Sequence, residues 1–210
     1  AEVPFLRDSH HDDFTPISAV TISVIAQVRD RLGEEYDTVV QLMANCPLRG
    51  AEDIRTAITA FDGAECDFQI SCTHFGWLNP WWAFKRDPEG HGEWLHPDAL
   101  RSRSQDLPPL FSPTGATWIA RVAALEKAGT FYGPGHRFEP MPWERAIDID
   151  DQDDLQLARA LFRARRAVRA AAIGGRLRAG AAWCSRGGLL RAQRRPGAQG
   201  RVHARRTGSR

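Results

Sequence analysis

The chain has 210 residues, which is enough for one sizeable hydrophobic core but few for two full domains. Its net charge of +2 conceals an uneven distribution, because residues 163–210 contain fourteen arginines and no acid, whereas residues 1–162 have a net charge of −12. No apolar run is long enough to span a bilayer, and the first residues lack the order of a secretion signal, so we expect a soluble, cytoplasmic protein without membrane contacts. The four cysteines form no C-x-x-C pair, which predicts reduced thiols and no structural zinc.

Helix-like and strand-like segments alternate in the first third of the chain. Apolar residues at helical spacing that end at Gly33 predict a helix over residues 16–33. A β-branched run at residues 36–43 predicts a strand, and the acids followed by apolar residues at 51–61 predict a second helix. The alternation of apolar and polar residues at 66–72 predicts another strand, which completes a βαβ unit.

The next part of the chain interrupts this pattern with a hairpin. The segment "WWAFKRDPEGHGEWL" has two short strand-like runs around a turn rich in Pro and Gly, which indicates antiparallel strands. Strand, helix, strand, strand and a closing helix are then predicted, in this order, at "GATWIA", "RVAALEKAG", "HRFEPMP", "RAIDID" and "DQDDLQLARALF". The alternation predicts a three-layer α/β domain over residues 1–162, with a mostly parallel sheet and one β-hairpin excursion.

Residues 163–210 are an Arg, Ala and Gly mixture with little periodicity, and we expect a largely disordered tail. Out-of-frame reading of GC-rich coding DNA would also give this composition. Arginine-rich tails bind nucleic acid by neutralising phosphates, but the interleaved aromatic residues of such tails are missing here apart from Trp183. Nucleic acid is therefore not an expected partner.

Five aspartates lie within seven residues, two of them just before the last predicted helix and three in its first residues. In an extended strand, Asp148 and Asp150 point the same way with Cβ atoms roughly 6 to 7 Å apart, close enough to share one hydrated divalent cation. A solvated strand end explains these two residues equally well. Asp151, Asp153 and Asp154 fit the N-cap and first turn of a helix, where carboxylates offset the positive end of the helix dipole.

Three segments in order, "VVQLMANCPLRGAEDIRTAI", "RSRSQDLPPLFSPTGATWIA" and "AIDIDDQDDLQLARALF", resemble blocks of the acylneuraminate cytidylyltransferase family. This family includes CMP-sialic acid synthetases and relatives that act on pseudaminic and legionaminic acids. The resemblance runs from about Ala1 to Phe162 and implies a Rossmann-like nucleotide-diphospho-sugar transferase fold. It also implies a homodimer, with Trp81 and Trp82 of the hairpin region at the partner contact.

The same resemblance implies a role for individual residues. It implies catalytic roles for Arg49 and Arg103, and Mg²⁺ as a cofactor bound by Asp148 and Asp150. The residues that it implies for substrate binding are Asn45, Arg103, Gln105, Asp106 and Gly115. The glutamine with which the family contacts an acylated sugar is absent, because Met43 to Cys46 fill the places before Pro47, so the resemblance does not single out N-acetylneuraminate.

The family opens with a βαβ unit and a Gly-rich loop that binds the triphosphate, and this chain has no counterpart of either. We therefore expect the chain to begin part-way into the domain, which argues against CTP binding by this chain alone.

The implied reaction is transfer of CMP from CTP to a nine-carbon 2-keto sugar acid, with release of pyrophosphate. Two other functions are left open by the sequence. The tripeptide Asp148-Ile149-Asp150 also satisfies the Asp-x-Asp pattern of metal-dependent glycosyltransferases, and the basic tail would suit a non-enzymatic nucleic-acid-binding protein.

Overall fold

The structure is a computed structural model that describes residues 3–10, 12–76 and 78–185. Residue 169 and residues 172–185 are described by their backbone only. By its internal contacts the chain divides into two units, Ala1–Ala164 and Arg165–Arg210, and each is described by itself.

Four α-helices and six β-strands form the described part of the chain. The helices are α1 Ile17–Leu32, α2 Ala51–Asp62, α3 Val122–Ala128 and α4 Gln152–Ser185. The strands are β1 Thr38–Gln41, β2 Phe68–His74, β3 Phe84–Arg86, β4 Gly92–Trp94, β5 Phe111–Arg121 and β6 Arg137–Pro140. Short 3₁₀ turns lie at Pro80–Trp82, Pro97–Arg101, Ser104–Asp106 and Trp143–Arg145.

Most of the predicted elements are present within a few residues of their expected bounds. Helix α1 ends at Gly33, which has a φ of 66° and donates its N–H to the carbonyl of Arg29, as expected for a left-handed glycine cap. The hairpin is confirmed as β3 and β4, which pair antiparallel with Phe84 opposite Trp94.

The main sheet has the strand order β1-β5-β2-β6 and is mixed. Strands β2 and β6 pair parallel, whereas β5 runs antiparallel to both of its neighbours, β1 and β2. The predicted α/β class is confirmed, but a mostly parallel ladder is wrong. A parallel neighbour needs a crossover over the sheet face, usually a helix, and the connection from β2 to β5 contains the hairpin and 3₁₀ turns instead.

Helices cover both faces of this sheet. On one face α1 and α3 pack against a buried cluster that comprises Phe68, Ile70, Ala120, Leu125 and Phe131. On the other face α2 contributes Ala57 and Phe61, which pack against Ile119. Each fully buried Phe or Ile contributes about 1.5–3 kcal/mol. The sheet therefore forms the middle of three layers.

The segment "RAIDID", predicted as a strand, is not one. After the turn Trp143–Arg145 the chain is irregular, and the N–H of Ile149 bonds the carbonyl of Asn45, at 3.0 Å, in place of a strand partner. The preceding strand β6 ends at Pro140, and Pro142 follows two residues later. Proline has no N–H to donate, so it ends the ladder.

Helix α4 continues past Phe162, where the sequence pattern predicts the end of the folded domain, and reaches Ser185. Ala and Arg are strong helix formers, which explains why an Arg- and Ala-rich segment extends a helix although it lacks an apolar stripe. The expectation of disorder for residues 186–210 lies outside the described residues. None of the helices in the described part of the chain has the length and apolarity needed to cross a bilayer.

Candidate functional site

The loop that joins β1 to α2, residues 42–50, is called the β1 loop here. It ends at Gly50, whose backbone N–H donates to the Asp53 carboxylate at 2.8 Å and so starts α2. The carboxylate at this helix end also offsets the helix dipole. The β1 loop is thereby fixed at both ends, by a sheet strand and by a capped helix.

The β1 loop contacts residues 146–150, called the acidic segment here, through three successive interactions. The amide of Asn45 donates from Nδ2 to Oδ1 of Asp150 at 3.3 Å, and the carbonyl of Asn45 accepts from the N–H of Ile149. The thiol of Cys46 donates to Oδ1 of Asp148 at 3.1 Å. Both candidate metal ligands therefore contact neighbouring residues of one loop that lies about a hundred residues earlier in the sequence.

Cys46 is buried, with 1% of its surface exposed. Burial, and then the hydrogen bond with Asp148, raises the pKa of its thiol to about 12. The thiol is protonated at neutral pH and its S–H is a donor to the carboxylate.

Arg49 and Gly115 join the β1 loop to β5. The Arg49 guanidinium donates from Nη1 to the carbonyls of Met43, at 3.2 Å, and Ala116, at 2.7 Å. Gly115 is buried, and a Cβ at this position would lie 2.7 Å from Sδ of Met43 and 3.2 Å from Sγ of Cys46. Glycine thus permits this close approach without a shift of the Met43 side chain.

Arg103, Gln105 and Asp106 lie apart from this network, in the exposed turn before β5. Arg103 donates from Nε and Nη2 to the two carboxylate oxygens of Asp106, at 2.7 and 3.0 Å, and this pairing raises the pKa of Arg103. Gln105 lines an open cleft of about 380 Å³ together with residues that include His74 and Asn79. In the described part of the chain, the hydrogen bonds of Arg103 do not reach Asp148 or Asp150.

The carboxylates of Asp148 and Asp150 decide which kind of metal ion the acidic segment fits. Among the residues that the structure describes, no group of three or more His, Cys, Asp and Glu side chains could enclose a metal ion. Asp148 is half-buried and Asp150 is exposed. Mg²⁺ is commonly held by one or two carboxylates and completes its coordination with water and substrate phosphates. Two carboxylates at an open surface fit Mg²⁺ and do not fit a closed structural zinc site.

The remaining acids of the cluster start α4, as predicted. Oδ1 of Asp151 accepts from the backbone N–H groups of Asp153, at 2.8 Å, and Asp154, at 3.0 Å. Oδ2 of Asp154 accepts in return from the N–H of Asp151 at 3.2 Å. This reciprocal capping fixes the end of the segment that carries Asp148 and Asp150.

Two further residue contacts were not predicted from the sequence. Cys46 lies in the predicted loop, but nothing in its local sequence indicates a hydrogen bond to a residue 102 positions away. Arg145 forms an ion pair with Asp53 at 3.2 Å, in which the Asp53 side chain is 8% exposed. This pair joins the turn before Ala146 to the first turn of α2, and it helps to hold the acidic segment next to the β1 loop.

The described residues thus define an α/β protein with a mixed sheet, in which Asp148 and Asp150 contact the loop that follows β1. No protein-family model matches the chain. The curated relatives that match it include two proteins from Campylobacter jejuni subsp. jejuni, both named pseudaminic acid cytidylyltransferase. The protein of serotype O:2 is 26% identical over 164 residues, which cover 78% of this chain and 70% of the relative. The protein of serotype O:23/36 is 24% identical over 163 residues, with the same coverage.

A match that covers 78% of 210 residues includes Asp148 and Asp150 wherever it starts. The resemblance to the acylneuraminate cytidylyltransferase family, predicted from three sequence blocks, is confirmed by these two relatives.

Proposed function

We propose that the chain is a nucleotidyltransferase domain that transfers CMP from CTP to a nine-carbon 2-keto sugar acid, with release of pyrophosphate. The observation that carries this proposal is the similarity to two pseudaminic acid cytidylyltransferases over most of the chain. The contacts between the β1 loop and the acidic segment support it, since they bring together two of the three sequence blocks that carry the resemblance. The relatives favour this function over an Asp-x-Asp glycosyltransferase and over a nucleic-acid-binding protein.

In the proposed reaction, the anomeric hydroxyl oxygen of the sugar acid attacks the α-phosphorus of CTP. The new phosphorus–oxygen bond forms as the bond to the bridging oxygen breaks, the hydroxyl proton passes to solvent water, and pyrophosphate leaves. Asp148 and Asp150 would hold Mg²⁺, which when bound neutralises the negative charge that develops on the phosphate oxygens.

The proposed binding site for the sugar acid is the open cleft that Gln105 lines. Arg103 suits the carboxylate of a sugar acid because its planar guanidinium can form two parallel hydrogen bonds. Asp106 engages this guanidinium through the same geometry, so a substrate carboxylate would compete with Asp106 for it. Arg49 holds the β1 loop through two backbone carbonyls and adds a positive charge near Cys46 and the acidic segment.

The proposed partner is a second copy of this chain, bound through the hairpin. Trp82, Phe84, Trp94 and Leu95 are 41%, 50%, 42% and 49% exposed, which is a high exposure for large apolar side chains. Trp81 is a weaker candidate than Trp82 because its side chain is only partly exposed and its ring packs against His96.

Pyrophosphate release from CTP tests this proposal, with the full 210-residue chain, Mg²⁺ and pseudaminic acid as the sugar acid. CTP is supplied in large excess, because the absence of a Gly-rich loop predicts that this chain alone binds it weakly. We expect release that requires all three components, and we expect Asp150→Asn to lower turnover at least about a hundredfold because a metal ligand is lost. Asp153→Asn is the matched control, since this neighbouring acid belongs to the start of α4. The proposal is wrong if the wild-type chain releases no pyrophosphate, or if the Asp150 variant keeps normal turnover.

A further inference from the structure

We infer that Asn45 and Cys46 form a positioning pair that sets the two candidate metal-binding carboxylates, Asp150 and Asp148, in place. The inference rests on the proposed function and assigns to the β1 loop a role in the metal site. The family resemblance implies that Asn45 contacts the substrate. The inference assigns Asn45 a contact with Asp150 instead.

The geometry of the contacts supports a positioning role. Consecutive residues of the β1 loop each engage one carboxylate, and each uses only the Oδ1 atom of its partner. A carboxylate has two oxygens, so each aspartate retains a second oxygen with which to hold a cation. Between these two contacts, the backbone bond from Ile149 to Asn45 keeps the segment in register with the loop.

The β1 loop is the better fixed of the two segments. Cys46 is buried against Gly115, and Arg49 ties the loop to β5 through the carbonyl of Ala116. The acidic segment is held at its two ends, by the Arg145–Asp53 pair and by the cap of α4, but residues 146–149 between them belong to neither helix nor strand. The orientation of its carboxylates therefore depends on what they bond to. Partners that orient metal ligands typically change metal affinity about 10- to 100-fold.

The test is the affinity of the full chain for Mn²⁺, used as a probe for Mg²⁺, measured by calorimetric titration without nucleotide. We expect Cys46→Ala and Asn45→Ala each to weaken Mn²⁺ binding by about tenfold. Cys46→Ser keeps a donor and should retain affinity within about threefold. Cys72→Ala is the matched control, because Cys72 is equally buried but lies in β2 and has no part in these contacts.

A second measurement separates positioning from a purely structural role. Thermal unfolding of Cys46→Ala, Asp148→Asn and the double variant in chelator measures the coupling of the two side chains without metal. We expect the double variant to unfold at a temperature no lower than that of the less stable single variant. The contact between Cys46 and Asp148 only stabilises the fold if the two side chains are coupled in thermal unfolding but Cys46→Ala leaves the Mn²⁺ affinity unchanged.

The outcomes also separate the inference from the proposed function. If Asp148→Asn abolishes Mn²⁺ binding but Cys46→Ala and Asn45→Ala bind Mn²⁺ as the wild type does, the positioning pair is refuted and the metal site stands. If the wild-type chain binds no Mn²⁺, the metal site itself is refuted, and the positioning of its ligands with it.

Discussion

Burial divides the three cysteines whose side chains the structure describes into two kinds. Cys46 and Cys72 are buried, and burial is the first cause that raises the pKa of both thiols, that of Cys46 to about 12. Cys66 is partly exposed. The thiolate is the reactive form, so a raised pKa lowers the reactive fraction at any given pH.

Alkylation with iodoacetamide tests this division. At about pH 8.5 roughly half of an unperturbed thiol is thiolate, whereas a pKa near 12 leaves fewer than about one thiol in a thousand. In metal-free native protein we expect Cys66 to react on the order of a hundredfold faster than Cys46. Peptide mass spectrometry gives the rate at each site, and unfolded protein is the control, in which the rates should converge. Equal native rates would contradict the burial of Cys46.

A methyl group at Gly115 tests how closely β5 approaches the β1 loop. Gly115→Ala would place a Cβ 2.7 Å from Sδ of Met43, so neighbouring side chains must shift. We expect the free energy of unfolding to fall by about 1–3 kcal/mol, as for other overpacked cores. Adding Met43→Ala removes the closest contact, so the double variant should lose less than the sum of the single losses in urea unfolding. Additive losses of unfolding free energy would show that residues 43 and 115 do not contact each other.

At the residue scale, the structure shows where the candidate side chains lie, which the sequence alone did not. Asn45, Gly115, Asp148 and Asp150 were chosen from sequence blocks, and the structure brings them to one place. Arg103 was chosen in the same way, but it pairs with Asp106 in a separate turn. Local sequence carries no signal for contacts that join positions about a hundred residues apart, such as those of the β1 loop.

The start of α4 is the element whose capping is best defined. Asp151 caps two backbone N–H groups, whereas Asp153 is an exposed acid in the first turn. We expect Asp151→Ala to lower the free energy of unfolding by about 1 kcal/mol through loss of the cap. Asp153→Ala loses only a favourable charge near the helix dipole, about 0.3 kcal/mol. Urea unfolding measures both, and a loss as large for Asp153→Ala as for Asp151→Ala would contradict this capping arrangement.

At the element scale, periodicity predicted the elements better than it predicted their buried faces. The apolar spacing of α2 corresponds to its buried face, whereas the buried residues of α1 are Ser18 and Thr21, and β2 is buried on both faces. Periodicity does not give strand direction, and therefore the antiparallel course of β5 was missed. Nor does it distinguish a strand from an extended segment whose N–H groups bond a loop, as at Ile149.

At the scale of the whole sheet, strand direction explains where the candidate site lies. Strands β1, β2 and β6 run in the same direction, so their carboxyl ends share one edge of the sheet. β1 and β6 are separated by β5 and β2, a distance of about 14 Å. The ten residues 141–150 can span this distance, and they bring the two aspartates to the β1 loop. Ligands of open α/β sheets bind at this edge.

The hairpin is the part of unit Ala1–Ala164 that is most suited to a partner. Phe84 and Trp94 stand opposite each other, with ring centroids 5.0 Å apart, and both stay largely exposed together with Trp82. Aromatic side chains that are surrounded by polar surface are typical centres of homodimer interfaces.

Sedimentation velocity of the full chain tests the proposed homodimer. We expect the wild type to sediment as a dimer at micromolar concentration and Trp82→Ser to shift the population towards monomer, since an apolar contact at the interface is lost. Trp143→Ser is the matched control, because Trp143 is also exposed, at 54%, but lies outside the hairpin. A wild-type monomer, or a Trp82→Ser variant that dimerises as tightly as the wild type, would show that a second copy does not bind through this surface.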